Sequence, residues 1–407
     1  MSDPTSTDSG LTHSRRTFLR SSAAAAGTLG LAGCLTGGSG SGNDSFVVGA
    51  NLPLSGGQDP YGKTMHRAAE IAATHINDNG GLDGTDVEIV VEDNKTDPKT
   101  VVDKTNKLIQ KDDADVLFGP VSSASRNAMD SVLKSEKVPL LYPIQYEGTV
   151  AKDYCNEYIY KFGETPRQQI NPFVPWLTEK YGDSFFLLGS DYVWPHRINS
   201  IVKDKLESNG GTVVGEQYVS IGTTDFSSII SKIESTNPDV LFMDLVGQSA
   251  VAIQKQMHNR GVRDEFQDVG LAHGQGLLAG ISPGASKGLL TCHEYMENLD
   301  NSANERFVGN FHEQYGQDAL INYMTGPSYT ALQFLKAAAD EAGSAKVDDI
   351  LGSIGSVSVD APVGSVSLAN DQQIKTGCTV GKVNDNQKYD PVTSFDPVTV
   401  PDQCSSI

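Results

Sequence analysis

The sequence has few cysteines and few basic residues, and it lacks several short motifs that mark enzymes. Its 407 residues include 5 Cys and 31 Lys and Arg against 51 Asp and Glu. Without a C-x-x-C pair it offers neither the usual zinc-binding spacing nor a thioredoxin-type redox motif. It also has no H-E-x-x-H metalloprotease motif. We therefore expect no catalytic residues, no metal site and no cofactor.

The acidic surplus limits the partners that the protein can have. The formal net charge is −20, and such a field repels nucleic acids and anionic membrane surfaces. We therefore expect no nucleic-acid partner. The simplest interpretation is that the protein comes from a halophile, because a solvated carboxylate surface keeps a protein soluble at high salt.

The N-terminus has the order of features that is typical of an export signal. Ser14–Arg20 fits a twin-arginine motif, and the apolar stretch Ala23–Ala32 follows it. Ten helical residues rise only ~15 Å, which is too short to span a ~30 Å bilayer core. This order favours a secretory signal over a transmembrane helix.

The signal ends in a sequence that resembles a lipobox. Leu31-Ala32-Gly33-Cys34 would make Cys34 the lipidated first residue of the mature chain. The prediction is a twin-arginine lipoprotein signal peptide over residues 1–33, then the lipidated Cys34 and a flexible Gly- and Ser-rich linker over residues 34–45. The protein would then be anchored by lipid at the extracellular face of the cell membrane.

The remaining four cysteines can form disulfides in an exported protein. They are Cys155, Cys292, Cys378 and Cys404, and four cysteines allow three connectivities. We expect Cys378 to pair with Cys404, because that bond would hold the C-terminal tail.

After the linker, the chain alternates strand and helix patterns in two series. The first series begins with the buried strand Phe46–Leu52 and includes a helix start at Asp97-Pro98, with Asp as N-cap. The second begins at Ser184, after a break near residue 165. Such alternation predicts parallel sheets covered by helices on both faces. The predicted fold class is therefore α/β, with two doubly wound lobes.

Several segments resemble those of a known family. Asn51–Gly56 with Tyr61-Gly62 is similar to the first strand and ligand loop of the superfamily of type I periplasmic binding proteins, which are solute-binding proteins of ABC transporters. Four more segments resemble its urea and short-chain amide binding branch: Tyr142–Gly148, Thr165–Gln169, Gly189–Pro195 and Asp360–Gly364. The likeness covers roughly residues 46–385.

This resemblance implies two lobes joined by a three-segment hinge, with the ligand held between them. Lobe 1 would comprise residues 46–164 plus 296–364, and lobe 2 residues 165–295 plus 365–400. In sheets of this kind, ligands bind outside the carboxyl ends of the strands.

The expected ligand-binding residues follow predicted strands in both lobes. They are Ser122, Ser123, Tyr142, Gln145 and Tyr146 in lobe 1, and Asp191, Tyr192, Val246 and Gly247 in lobe 2. Hydroxyl, amide and carboxylate groups, with the backbone at Val246-Gly247, would pair the polar atoms of a small amide. Purely structural roles are also open: helix capping for the serines and Asp191, and core packing for the two tyrosines. Asp244 lies nearby and is a weaker candidate.

The leading hypothesis is an ABC importer subunit that captures urea or a short-chain amide and delivers it to a membrane permease. A second hypothesis makes the ligand a branched-chain amino acid, although Pro143–Tyr146 lacks the Ser- and Thr-rich turn that typically holds an α-carboxylate in that superfamily. A third is an amide-sensing binding protein, and a fourth is an exported amidase. The sequence offers no nucleophile with a base for the amidase.

Overall fold

The computed structural model describes residues 45–144, 156–369 and 372–398. Over these ranges two parallel sheets form, each with its own helices and its own buried core. This architecture confirms the predicted α/β fold with two doubly wound lobes. The predicted lipidation site Cys34, the ligand residues Gln145 and Tyr146, and Cys155 and Cys404 lie outside the described residues.

Lobe 1 is built on a five-stranded parallel sheet in the order β2-β1-β3-β4-β5. Its strands are β1 (Phe46–Leu52), β2 (Val87–Asp93), β3 (Val116–Phe118), β4 (Leu140–Tyr142) and β5 (Ile159–Lys161), and the helices between them are α1 (Asp59–Asp78), α2 (Pro98–Gln110) and α3 (Ser123–Glu136). Every residue of β1 is buried, because a central parallel strand is covered on both faces.

Lobe 2 is built on a seven-stranded sheet in the order β15-β14-β10-β9-β8-β6-β7. Its strands are β6 (Ser184–Ser190), β7 (Thr212–Val219), β8 (Val240–Asp244), β9 (Gln267–Gly270), β10 (Leu290–His293), β14 (Cys378–Val383) and β15 (Tyr389–Phe395). Its helices are α4 (Pro166–Tyr181), α5 (Val193–Ser208), α6 (Ser227–Thr236), α7 (Gly247–Arg260), α8 (Gln275–Leu278) and α9 (Pro283–Ser286). β14 runs antiparallel to β10, and the edge strand β15 runs antiparallel to β14.

The remaining elements return the chain to lobe 1. They are α10 (Ser302–Tyr315), α11 (Thr325–Ala342), α12 (Val347–Ser353) and the antiparallel strands β11 (Ser358–Ala361), β12 (Gly364–Leu368) and β13 (Ile374–Lys375). Val366, Leu368 and Ile374 pack in the core of lobe 1, although the sequence assigns them to lobe 2. The third crossover therefore lies after Ile374, since apolar residues of β12 and β13 need that core to be buried.

Helix starts follow the local signals of the sequence. Asp97 caps α2 and accepts a hydrogen bond from Thr100 N at 2.8 Å, as predicted. Thr165 begins α4 with a reciprocal capping box to Gln168. Such caps satisfy backbone N–H groups that have no partner within the helix. Thr165 thus places the start of lobe 2 directly after the first crossover.

Glutamine side chains connect the first and third crossovers. Gln168 Nε2 donates to Ile374 O at 2.9 Å, and Gln373 Nε2 donates to Gly163 O at 2.9 Å. All of these residues except Gly163 are 5 % exposed or less. Buried hydrogen bonds of this kind hold the hinge segments side by side.

Candidate functional site

Tyrosines from both lobes lie where the parallel strands end. Tyr61 is in the first turn of α1, after β1, and Tyr192 is the N-cap of α5, after β6. Tyr61 hydrogen-bonds to Tyr323 of lobe 1, and their ring centroids are 6.2 Å apart. Burial raises the pKa of Tyr61 to about 12. Its hydroxyl therefore stays neutral and can both donate and accept.

Tyr192 interacts electrostatically with ionisable groups of both lobes. Burial raises its pKa, and the charges of Asp244 in lobe 2 and Tyr61 in lobe 1 raise it further. Its ring also lies against Trp194, with centroids 6.2 Å apart. Tyr192 thus interacts with groups of both lobes, and its contact with a ligand stays a prediction.

Asp244 is a buried carboxylate without a hydrogen-bond partner among the described residues. It ends β8, it is 0 % exposed, and neither of its oxygens accepts a hydrogen bond from that part of the chain. Burial raises its pKa well above the ordinary value. An unpaired buried polar group costs free energy, typically ~1–3 kcal/mol and more for a charge. Such a group in a cleft is a functional-site candidate because a bound donor would relieve that cost.

Two helix N-termini lie beside this carboxylate. β6 and β8 are neighbours in register, with Gly189 opposite Asp244, and they lead into α5 and α7. Neither helix has a side-chain capping hydrogen bond, whereas α2, α3, α4 and α10 all do. First-turn N–H groups are donors. This edge of lobe 2 therefore presents donors close to an unused acceptor.

A second acidic group lies in the hinge. Glu164 Oε1 on the first crossover is 2.7 Å from His293 Nδ1 at the end of β10, and His293 Nε2 lies 2.7 Å from Leu271 O. Glu294 Oε1 accepts a hydrogen bond from Glu164 N at 2.9 Å. The first two crossovers are thus joined by one buried polar cluster of Glu164, His293 and Glu294.

The pKa values of the two glutamates in this cluster are shifted in opposite directions. Burial and the adjacent Glu164 carboxylate raise the pKa of Glu294 well above its usual range. Burial would also raise the pKa of Glu164, but the hydrogen bond and charge of His293 outweigh it and lower that pKa. Like charges in one site separate pKa values in this way. The negative charge is therefore favoured on Glu164, which contacts His293, over Glu294.

A small cavity lies next to this cluster, and residues of both lobes line it. Its lining includes Ile144, Glu164, Trp194, His293, Glu294 and Tyr323. The cavity leaves ≈ 20 Å³ for water centres, which is room for one or two waters. The ring of Tyr323 stacks on His293 with centroids 4.0 Å apart. No Lys or Arg is among the described residues that line it, so the cavity favours N–H donors over anions.

The predicted lobe 1 residues that the structure describes have structural roles. Ser122 is the N-cap of α3, and its hydroxyl accepts from Ser125 N at 3.1 Å. Ser123 is the first residue of that helix and is half-buried. Tyr142 is 1 % exposed and packs in the core of lobe 1. These positions fit capping and core packing, and a ligand role for these residues stays a prediction.

Of the predicted lobe 2 residues, Tyr192 interacts electrostatically with Asp244. The side chain of Asp191 is 64 % exposed and pairs with His196 Nε2 at 2.8 Å. It does not cap α5, and its ligand role stays a prediction. The N–H of Val246 donates to Ser190 Oγ at 3.2 Å. Gly247 begins α7 with φ +57° and is exposed. Asp244, the weaker candidate of the sequence, is the buried group at this edge.

Sequence reasoning did not identify the hinge residues Glu164, His293 and Glu294 or the tyrosine pair Tyr61 and Tyr323. The break near residue 165 could have identified Glu164. An acidic residue directly before a helix capping box at such a break lies at the crossover between the lobes. The pattern G-x-x-x-x-G-K-[ST] of phosphate-binding loops also occurs, at residues 57–64. It forms no such loop here, since α1 already begins at Asp59 and Lys63 pairs with Asp59 at 2.6 Å.

Two further searches of the described ranges bear on the class of protein. Within residues 45–144, 156–369 and 372–398, no three His, Cys, Asp or Glu side chains are grouped so that they could hold a metal ion. None of the helices in the same ranges is long and apolar enough to cross a membrane.

Comparison with known proteins agrees with this architecture. The Leu/Ile/Val-binding protein homolog 2 of Brucella abortus is 25 % identical over 308 residues, which cover 74 % of this chain and 79 % of that protein. The leucine-, isoleucine-, valine-, threonine- and alanine-binding protein of Pseudomonas aeruginosa is 21 % identical over 336 residues, or 82 % of this chain and 88 % of that one. Both relatives are named as binding proteins.

Solved structures share the fold at low sequence identity. An ABC transporter solute-binding protein from R. palustris, in complex with benzoate, superposes with a TM-score of 0.79 at 22 % identity and covers 89 % of this chain and 99 % of that one. A leucine-binding protein from Thermotoga maritima gives a TM-score of 0.75 at 20 % identity, over 86 % and 99 % of the chains. The periplasmic binding protein domain family matches residues 47–406. The chain therefore belongs to the periplasmic binding proteins and has the type I fold of the ABC transporter solute-binding proteins.

Proposed function

We propose that this protein is the solute-binding subunit of an ABC importer and captures urea or a short-chain amide between its lobes. The observation that carries the proposal is Asp244, a fully buried carboxylate at the carboxyl edge of the lobe 2 sheet with no hydrogen-bond partner among the described residues. An amide offers N–H groups to this carboxylate and a carbonyl oxygen to the helix N-termini beside it. A ligand of that chemistry pairs every polar atom, which small buried ligands require.

The lining of the hinge cavity supports a neutral ligand that is rich in N–H groups. The Glu164 carboxylate would repel an anion there, and no Lys or Arg is among the described residues that line it. The segment Tyr142–Gly148, with Gln145, resembles the amide-binding branch, and Gln145 can both donate and accept. Benzoate-like ligands, found in a structural neighbour, carry the charge that this lining disfavours.

The alternative ligand is a branched-chain amino acid. The curated relatives named above bind leucine, isoleucine and valine according to their names. The ammonium group of such a ligand would pair with Asp244. Its α-carboxylate would need donors in lobe 1, where the first-turn N–H groups of α3 next to Ser122 and Ser123 are the available ones. Both ligand classes would bind to Asp244, but only an amino acid also needs a site for its carboxylate.

We further propose that the protein works outside the cell, anchored through a lipid on Cys34 after twin-arginine export. The permease subunits of the importer would be its partners, and lobe closure around the ligand would present the loaded form to them. It would bind its ligand without chemical conversion.

Calorimetric titration of the purified protein in high salt with urea, acetamide, leucine and benzoate tests the proposal. We expect heats of binding for urea or acetamide and none for leucine or benzoate. Saturable binding of leucine with no response to the amides would replace the proposal by the amino-acid assignment. Gln145→Leu should weaken amide binding by about tenfold or more, the loss expected from one buried hydrogen bond. Ammonia release from urea or acetamide would instead identify an amidase.

A further inference from the structure

Two cysteines lie side by side on neighbouring strands of lobe 2. β10 and β14 are antiparallel, with Cys292 opposite Val380 and His293 opposite Thr379. Alternate residues of a strand point to the same face, so Cys378 shares the face of Val380 and lies diagonally across from Cys292. Both cysteines belong to the same buried core. The register therefore directs the two thiols toward each other inside the protein.

The two thiols are in contact and shielded from solvent. Cys292 is 0 % and Cys378 2 % exposed, and both are free thiols in the structure. A hydrogen bond to Cys292, together with burial, raises the pKa of Cys378 well above that of an ordinary thiol. Such thiols make poor nucleophiles and metal ligands. Their position suits a structural bond better than a reactive site.

We propose that Cys292 and Cys378 form a disulfide bond in the exported protein. The bond would join β10 and β14 immediately beyond the second and third crossovers, next to Glu294 and Thr376. The lobe 2 ends of two of the three hinge segments would then be held at a fixed separation. Bending between the lobes would be confined to the residues on the lobe 1 side of the bond. This bond would exclude the pairing of Cys378 with Cys404 that the sequence analysis expects.

The chemistry requires an oxidant, which we take to be a small-molecule disulfide. One cysteine loses its proton and attacks that disulfide, which releases one thiol and leaves a mixed disulfide. The second cysteine then displaces the second small thiol, so that two protein thiols become one disulfide and two small thiols form. β14 is separated from the sheet edge only by β15. Local opening of this terminal hairpin gives the reagent access, since edge elements open more readily than the whole fold.

Peptide mapping of the full-length protein, purified under non-reducing conditions with thiol alkylation, tests the proposal. Trypsin should leave Cys292 alone in the peptide of residues 288–306 and Cys378 alone in that of residues 376–382. We expect these two peptides as one linked species, two hydrogens lighter than their sum, which separates on reduction. Alkylated cysteine in both peptides as the main form overturns the proposal, as does a link from residues 376–382 to the C-terminal peptide with Cys404.

A second measurement reports on the role of the bond without depending on one variant. Reduction should lower the thermal midpoint of the wild-type protein and leave that of the Cys292→Ala/Cys378→Ala variant unchanged. Cys155→Ala serves as the matched control and should keep the full response to reductant. Equal responses of the wild type and the double variant would assign the stabilisation to another pair. Because neither readout uses a ligand, failure of the amide assignment leaves this test unaffected.

Discussion

The carboxylate of Glu164 and the imidazole of His293 meet at 2.7 Å across two separate crossovers of the hinge. Their side chains are 12 % and 6 % exposed, so solvent screens the pair little. Both ring nitrogens of His293 face acceptors, Glu164 and the carbonyl of Leu271. The hinge therefore contains a buried polar pair. Removal of either side chain would leave the other without its hydrogen-bond partner.

We expect His293→Gln to destabilise the protein by about 1–3 kcal/mol, because the buried Glu164 carboxylate would lose the hydrogen bond of the ring. Chemical denaturation monitored by circular dichroism measures it. Asp340→Asn is the matched control, because it breaks the exposed pair of Asp340 with Lys336 and should cost at most about 1 kcal/mol. Equal losses for the two variants would show that the hinge pair has no special role.

Asp244→Asn should weaken binding of urea or acetamide by about 10- to 100-fold, since a hydrogen bond to a charged group contributes ~1.5–3 kcal/mol. Calorimetric titration provides the measurement. Asp204→Asn, on the exposed face of α5, is the control and should bind like the wild type. Wild-type affinity in Asp244→Asn would remove this residue from the site.

The same variant should change how stability depends on pH. Burial raises the pKa of Asp244 above its ordinary 3.8, so the folded state holds the proton more tightly than the unfolded state. The free energy of unfolding therefore falls as pH rises from about 3.8 through the raised pKa. Asp244→Asn should flatten this decline in denaturation curves collected across that range. An unaltered slope would mean that different groups cause it.

His273 should produce the opposite dependence at acid pH. It is 0 % exposed, and burial, with a further contribution from the charge of Arg263, lowers its pKa from 6.5 to about 4. The neutral ring contributes stability that is fully present above pH 6.5 and is lost as pH falls toward 4. His273→Gln should reduce the slope of unfolding free energy in this window. His258→Gln, at an exposed position on α7, should retain it.

Cys34→Ser should release the exported protein from the cell membrane into the medium, because no lipid can then be attached. Fractionation of cells followed by immunodetection measures this. Cys155→Ser should leave the protein in the membrane fraction. Membrane retention of Cys34→Ser at the wild-type level would rule out the lipid anchor.

Local patterns predicted much of the fold. The strand Phe46–Leu52 and the start of α2 at Pro98 lie where the sequence places them, because apolar runs and N-caps act over a few residues. The last residues of lobe 1 were harder to predict from the sequence. Val366, Leu368 and Ile374 belong to short strands, and their packing with lobe 1 depends on contacts distant in sequence.

The candidate site was less accessible to sequence reasoning. Motif resemblance predicted Tyr192 and Asp191 as ligand-binding residues, with Asp244 as a weaker candidate. In the structure the side chain of Asp191 is 64 % exposed. A sequence shows that an acid follows a strand, but the exposure of its side chain depends on how the next helix packs.

The amino-acid sequence by itself determined the order of strands and helices and the division into two α/β series, since hydrophobic periodicity and capping are local. Only the tertiary structure decided that Glu164 and His293, 129 positions apart, form one pair, and that Asp244 is buried without a hydrogen-bond partner in the part of the chain that the structure describes. Those properties depend on which side chains the folded chain brings together and on how completely they exclude water, and neither quantity is encoded in any short segment.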